Sequence, residues 1–337
     1  MIADPLPGPM GWGENLMTDD ARIVQEKKEF DILAETQPAM MQYREARQPN
    51  AEKIKLVKDL MAADGMVGGF SCRHVEKAIF GAFLAWLAQI IGSCVASGGA
   101  RAWTRRTLIE AFLLNDPEEI FGTKIVGIDN VSHFVPYSYR AGRSFSNIRG
   151  DGSYCSIHIR GFKEYGALPC STPGIETDAF PEPQSARLYR SYGSSNSILT
   201  KFKDVASQFT LLESGKITAV DQAKELLTVK MSPFMVCSNW AFEPDYTHPT
   251  WKLADGSSVV IYKRNRRTSW GHNMTIDGWV ILINGEEYVI VDNSWGLRAH
   301  KNGSWFVIPV SLYESWIRDS EQMYIGDIDL KDNQVPV

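Results

Sequence analysis
Apolar spacing along this 337-residue chain changes character near residue 192. Upstream, apolar positions recur at helical intervals; downstream, they alternate or run together in short blocks. Ile54, Val57 and Met61 share one face of a predicted helix over Ala51–Ala63, with Asn50 placed to cap it and Gly65 to stop it. A more polar helix is predicted from Asp19 to Glu35, after an irregular stretch rich in Pro and Gly. A third helix opens at Cys94, continues through Trp103, Leu108, Phe112 and Leu113, and stops at Asn115-Asp116-Pro117. A fourth runs from Ser156 to Tyr165. After Tyr192, a helix over Val220–Leu227 leads into strand-like runs at Phe234–Phe242, Ser258–Lys263, Ile276–Ile283, Glu287–Asp292 and Trp305–Ile308. Asn284-Gly285 and Asp255-Gly256 are hairpin turns by their residue types.

A helical half followed by an antiparallel β half predicts an α+β protein of two lobes. The expected division is an interaction arm over 1–65, a helical lobe over 66–192, a β lobe over 193–326 and a tail over 327–337. The arm's helices carry thin apolar stripes, so it is expected to lie on another surface, either this body or a partner protein. Ala78–Ala100 holds no charged residue and is long enough to span a membrane. Gln89, Ser93 and Cys94 interrupt it, and Gly92, Gly98 and Gly99 weaken a long helix. Two short buried helices meeting at a Gly-Ser turn are therefore expected, with no membrane partner.

Hydrophobic residues make up 44% of the chain, enough for a large core. A net charge of −5 gives no footprint for nucleic acid. The five cysteines are widely spaced, without a CxxC pair. They read as one functional thiol and four buried ones in a reducing compartment, with a single bridge such as Cys155–Cys170 left open. The N-terminus lacks the apolar run of a secretory leader. A cytoplasmic or virion-associated protein is expected. His74, His133, His158, His248 and His300 show no metal-ligand spacing, and no cofactor is implied.

The chemistry-bearing residues are few. Gln89-Ile90-Ile91-Gly92-Ser93-Cys94 places a thiol where a helix begins, so the helix dipole favours its anion. Trp270-Gly271-His272 brings an imidazole 178 residues later (272 − 94). Asn293-Ser294-Trp295-Gly296 brings a side-chain amide 199 residues later (293 − 94). A thiol attacks, an imidazole carries its proton and an amide orients the imidazole. Taken singly, Cys94 suits a small core residue, His272 a strand edge and Asn293 a turn. Their order is what points to chemistry. The basic run Lys263, Arg264, Arg266 and Arg267 reads as a solvated hairpin or as a surface for acidic partners.

These motifs resemble the papain family of cysteine peptidases. The carrying residues are Asn293 to Gly296 with Gly303-Ser304-Trp305-Phe306, Trp270-Gly271-His272, and Gly150-Asp151-Gly152-Ser153 before a helix. The resemblance covers roughly residues 86–325 and implies a papain-like fold with its site in the cleft between the lobes. It implies Cys94 as nucleophile, His272 as base, Asn293 as orienting amide and Gln89 as oxyanion donor. Gly150 and Gly152 would line the substrate backbone, and Trp295 would shield the Asn–His contact. Val95 replaces the family's usual aromatic, and Gln89 lies five residues before Cys94, one fewer than usual. The expected activity is hydrolysis of a peptide or isopeptide bond in a protein substrate. The alternatives are a structural component of a large assembly such as a virion, and an amidase or transglutaminase type of acyl transfer.

Overall fold
The structure is a computed structural model that describes residues 49–83, 92–114, 134–145, 152–170, 172–175, 191, 195–248, 250–294 and 305–330. The predicted helix over 19–35 lies outside these residues.

Helix α1 (Ala51–Ala63) begins where its sequence says: the Asn50 side chain accepts from Lys53 N at 3.1 Å. It ends at Asp64, and Gly65 follows at φ +82°, the left-handed region that suits glycine. Val57 and Met61 are buried in the same core as Phe70, Val75 and Leu108. Of the two surfaces open to this segment, α1 therefore uses the protein's own body, and no boundary in packing falls at residue 65. Strand β1 (Met66–Ser71) follows, in a stretch expected to be helical. Gly69 lets it lie close on its neighbour, since a Cβ there would fall 1.9 Å from the Trp279 carbonyl oxygen. Helix α2 (Cys72–Phe80) leads to residues outside the description.

Helix α3 (Cys94–Ile109) is the central element, buried along its whole length and continued by a π-helical turn at Glu110–Leu114. Gly98 and Gly99 do not break it. They are contact points: a Cβ on Gly98 would lie 1.8 Å from Asn273 Oδ1, and one on Gly99 would lie 2.9 Å from Phe162. Among the described residues no helix is long and apolar enough to cross a membrane. Helices α4 (Val135–Arg143) and α5 (Cys155–Tyr165) pack beside α3, and two short helices follow, α6 (Ser197–Lys201) and α7 (Lys203–Ala206).

The remaining elements are β2 (Phe209–Lys216), α8 (Val220–Thr228), β3 (Phe234–Pro244), β4 (Trp251–Lys252), β5 (Ser258–Val259), β6 (Tyr262–Leu282), β7 (Glu287–Asp292), β8 (Trp305–Pro309), α9 (Val310–Trp316) and β9 (Ser320–Leu330). Seven strands form one antiparallel sheet in the order β2-β9-β3-β6-β7-β8, with β1 also paired to β6. Strands β1, β2 and β9 were not expected from the sequence. The two predicted hairpins close as read, with Gly285 and Gly256 at φ +83° and +81°. On β7, Val289 and Val291 join the core under α8 and α9, while Tyr288 and Ile290 join the core under α1 and α2. A sheet buried on both faces explains why this strand reads as a continuous apolar run.

The cysteines differ from expectation. Cys155, opening α5, is bonded to Cys237 on β3, so neither is a free thiol and Cys170 is not the partner. Cys72 and Cys94 are buried and free, and Cys170 is half-buried.

Candidate functional site
Cys94 is the first residue of α3 and fully buried, with Ser93 at the cap position. Thr275 Oγ1 donates to the Gly98 carbonyl at 2.9 Å, one helical turn beyond Cys94, and Asn273 touches Gly98 itself. His272 precedes Asn273 on β6, so the strand that carries the imidazole packs on the helix that Cys94 opens.

The pairing of β6 with β3 is irregular there. Ser238 pairs with His272 and Ala241 with Asn265, so three steps on β3 (241 − 238) face seven on β6 (272 − 265). Such extra residues re-aim the side chains beside them. Trp316 Nε1 donates to Ser238 Oγ at 2.8 Å and fixes the strand behind the histidine.

Asn293 follows the last residue of β7. Its Oδ1 accepts a hydrogen bond from His272 Nε2 at 2.8 Å, and both residues are buried. An amide oxygen can only accept, so Nε2 carries the proton and Nδ1 is left as the basic nitrogen. Burial pushes the imidazole pKa down to about 4, Asn293 opposing and the nearby Arg101 cation adding to the fall. Burial therefore favours a neutral imidazole.

Gly152 has φ +114°, a conformation open to glycine, and its carbonyl accepts from Arg143 Nη1 at 2.9 Å. Gln89, Gly150 and Trp295 lie outside the described residues. Of the seven site residues expected from the sequence, the structure joins His272 to Asn293, sets Cys94 at the start of α3 and describes Gly152, while the other three lie outside the described residues.

Two neighbours were not read from sequence. Asn273 Nδ2 lies 3.1 and 3.3 Å from the sulfurs of Cys155 and Cys237. Arg101 Nη1 donates to the Asn293 carbonyl at 2.7 Å. Arg101 had a legible signal, since a cation seven residues after Cys94 falls on the same helical face. Asn273 had none beyond adjacency to His272. Among the described residues one set could gather a cation, Cys155, Cys237 and Glu321, and its two sulfurs are spent on each other. Glu321 instead accepts from the backbone N–H groups of Cys155 and Ser156 at 3.0 and 3.2 Å, at the start of α5.

No family profile matches this chain. No curated sequence matches it either. Solved structures do. Xylellain, a cysteine protease from Xylella fastidiosa, superposes with a TM-score of 0.51 at 16% identity, over 82% of this chain and 89% of that one. Procathepsin B S9 from Trypanosoma congolense gives 0.47 at 13% identity, over 84% and 81%. The proform of Amb a 11, a cysteine protease and ragweed pollen allergen, gives 0.47 at 14% identity, over 78% and 66%. The chain has a papain-like α+β fold, shared with cysteine proteases.

Proposed function
We propose that the protein is a papain-like thiol hydrolase that cleaves a peptide or isopeptide bond through a thioester on Cys94. The observation that carries this reading is the buried His272–Asn293 hydrogen bond, at the seam where Cys94 opens the core helix.

The chemistry follows from the protonation states. Nδ1 of a neutral imidazole takes the thiol proton as the sulfur attacks the carbonyl carbon. The C=O π electrons move to oxygen, where the Cys94 N–H, with the Gln89 amide, donates to the oxyanion. Collapse expels the amine, which takes its proton back from Nδ1 and leaves an acyl-thioester. Water, deprotonated by the same nitrogen, releases the acid and regenerates the thiol. In this reading Gly152 borders the path of the substrate, with its own carbonyl held by Arg143. The segment before α1 is, in this reading, a protein-contacting arm.

Cys94 should be alkylated by a thiol-directed epoxide in the folded protein, and Cys94→Ala should abolish both labelling and turnover. His272→Ala should slow labelling by about 10²-fold, the low end of what a positioned base supplies. The labelling rate should fall only as pH drops toward about 4, where the imidazole charges. An unlabelled Cys94 with processing of co-expressed proteins unchanged in Cys94→Ala would leave the fold a structural role.

A further inference from the structure
Behind the site three arginines and three carboxylates are buried together. Arg105 Nε pairs with Glu76 at 2.9 Å, its Nη1 with Asp277 at 2.8 Å and its Nη2 with Asp292 at 2.5 Å. Arg73 Nη1 reaches the same Asp292 oxygen at 3.3 Å. Arg101 Nη1 takes the other oxygen at 3.1 Å and also donates to the Asn293 carbonyl at 2.7 Å. Asp292 is thus held by cations from α2 and α3, and it is the last residue of β7, directly before Asn293.

We propose that Arg101 is a positioning residue for the reaction: its guanidinium clamps the Asp292 carboxylate and the Asn293 carbonyl together, and so aims the Asn293 amide at His272. The inference rests on the reading of Cys94, His272 and Asn293 given above. Asn293 has left the sheet ladder, so strand pairing does not fix its backbone. The clamp supplies that constraint. Arg101 lies seven residues after Cys94 on the same helix, so one rigid element registers the thiol and the amide that steers its base. Both contacts leave from one nitrogen, Nη1, whose two N–H groups meet the two acceptors; the Lys side chain is one bond shorter and does not carry its ammonium to that point. The clamp also carries charge. His272 has Arg101 of α3 as its nearby cation and Asn293 as its hydrogen-bond partner, with Ser238 of β3 paired to its backbone and, in the reading above, the Cys94 thiol at its other nitrogen; Asp292 stands one residue before Asn293. Arg73 and Glu76 from α2, Arg105 from α3 and Asp277 from β6 lie behind Asp292. Removing Arg101 takes away a cation that disfavours the imidazolium.

Arg101→Lys and Arg101→Met separate geometry from charge. The readouts are the rate of Cys94 alkylation by iodoacetamide against pH, and the nitrogen-15 NMR titration of His272 with its Nε2–H resonance. Both variants should alkylate about tenfold more slowly and weaken the Nε2–H hydrogen bond to Asn293. Only Arg101→Met should also move the His272 titration and the acid limb of the rate to higher pH. A purely structural role would not move a titration in one variant and spare it in the other. Arg73 and Arg105 still hold Asp292 in Arg101→Met; should that variant not fold, Arg101→Lys carries the geometric test. Unchanged rate and unchanged resonance in a folded variant overturn the proposal. A wild type that never alkylates, yet whose His272 resonance responds to Arg101, overturns the hydrolase reading and leaves the clamp standing.

Discussion
His158 shows how a single side chain can set the protein's response to acid. It lies on α5 against Gly142 of α4, where a Cβ would come within 2.7 Å of the ring. Neither of its ring nitrogens has a hydrogen-bond partner. Burial pushes its pKa down to about 3, with the Arg143 cation adding to the effect. The folded pKa is below the ordinary 6.5, so the unfolded chain binds the proton more readily. The stability this neutral ring contributes is complete above pH 6.5 and is lost as pH falls toward about 3. His272 acts in the same direction, lost toward about 4. Asp277, raised to about 7 chiefly by burial, acts in the opposite one: it stabilises when protonated and ceases to as pH rises through about 7. A comparison with His158→Met isolates one of the three. The variant's urea midpoint should fall less than that of the wild type between neutral and acid pH. Parallel losses would mean that the buried ring is not what titrates. At this scale the sequence showed the residue types and their order, and the pairing of His272 with Asn293 was legible on that basis. Arg101 was legible in principle, as a cation on the thiol's own helical face. His158 was not, because a histidine in a row of letters carries no mark of its burial.

The elements around the site depend on close contact between α3 and β6. Gly98 makes this possible, since its missing side chain leaves room for Asn273. Gly98→Ala should gain somewhat in helix propensity, by about 0.5–1 kcal/mol. It should lose more by forcing Asn273 or the helix to move, at about 1–3 kcal/mol for overpacking. The net expectation is a lower urea midpoint with an unchanged slope; a midpoint equal to or above the wild type would show that the seam is looser than the described contact. Read as sequence, Gly98 and Gly99 weaken a helix, yet the helix expected to open at Cys94 runs straight through them. Propensity is a weak preference, overridden where small residues allow close approach to a sheet. Helix α1, in contrast, was legible to the residue, because its Asn cap, apolar stripe and terminal glycine are all local signals.

At the scale of the whole molecule, the Cys155–Cys237 bridge ties α5 to β3 across 82 residues of chain. Closing so long a loop restricts the unfolded chain, and losing such a bridge costs about 2–5 kcal/mol. Reduction should lower the urea midpoint of the wild type and leave Cys155→Ser/Cys237→Ser unaffected. Identical midpoints with and without reductant would show that the bridge does not form in solution. The sequence by itself determined the α+β class, the site of the two tight hairpins and the order of thiol, imidazole and amide, because each is written in local spacing or in residue type. It did not determine β1, β2 or β9, whose partners β6, β9 and β3 lie far away along the chain. Nor did it determine the cysteine pairing, the neutral state of His272 or the arginine clamp on Asp292. Those are set by burial and by contacts between distant segments, and a side chain's dielectric surroundings and charged neighbours come into being only when the chain has folded.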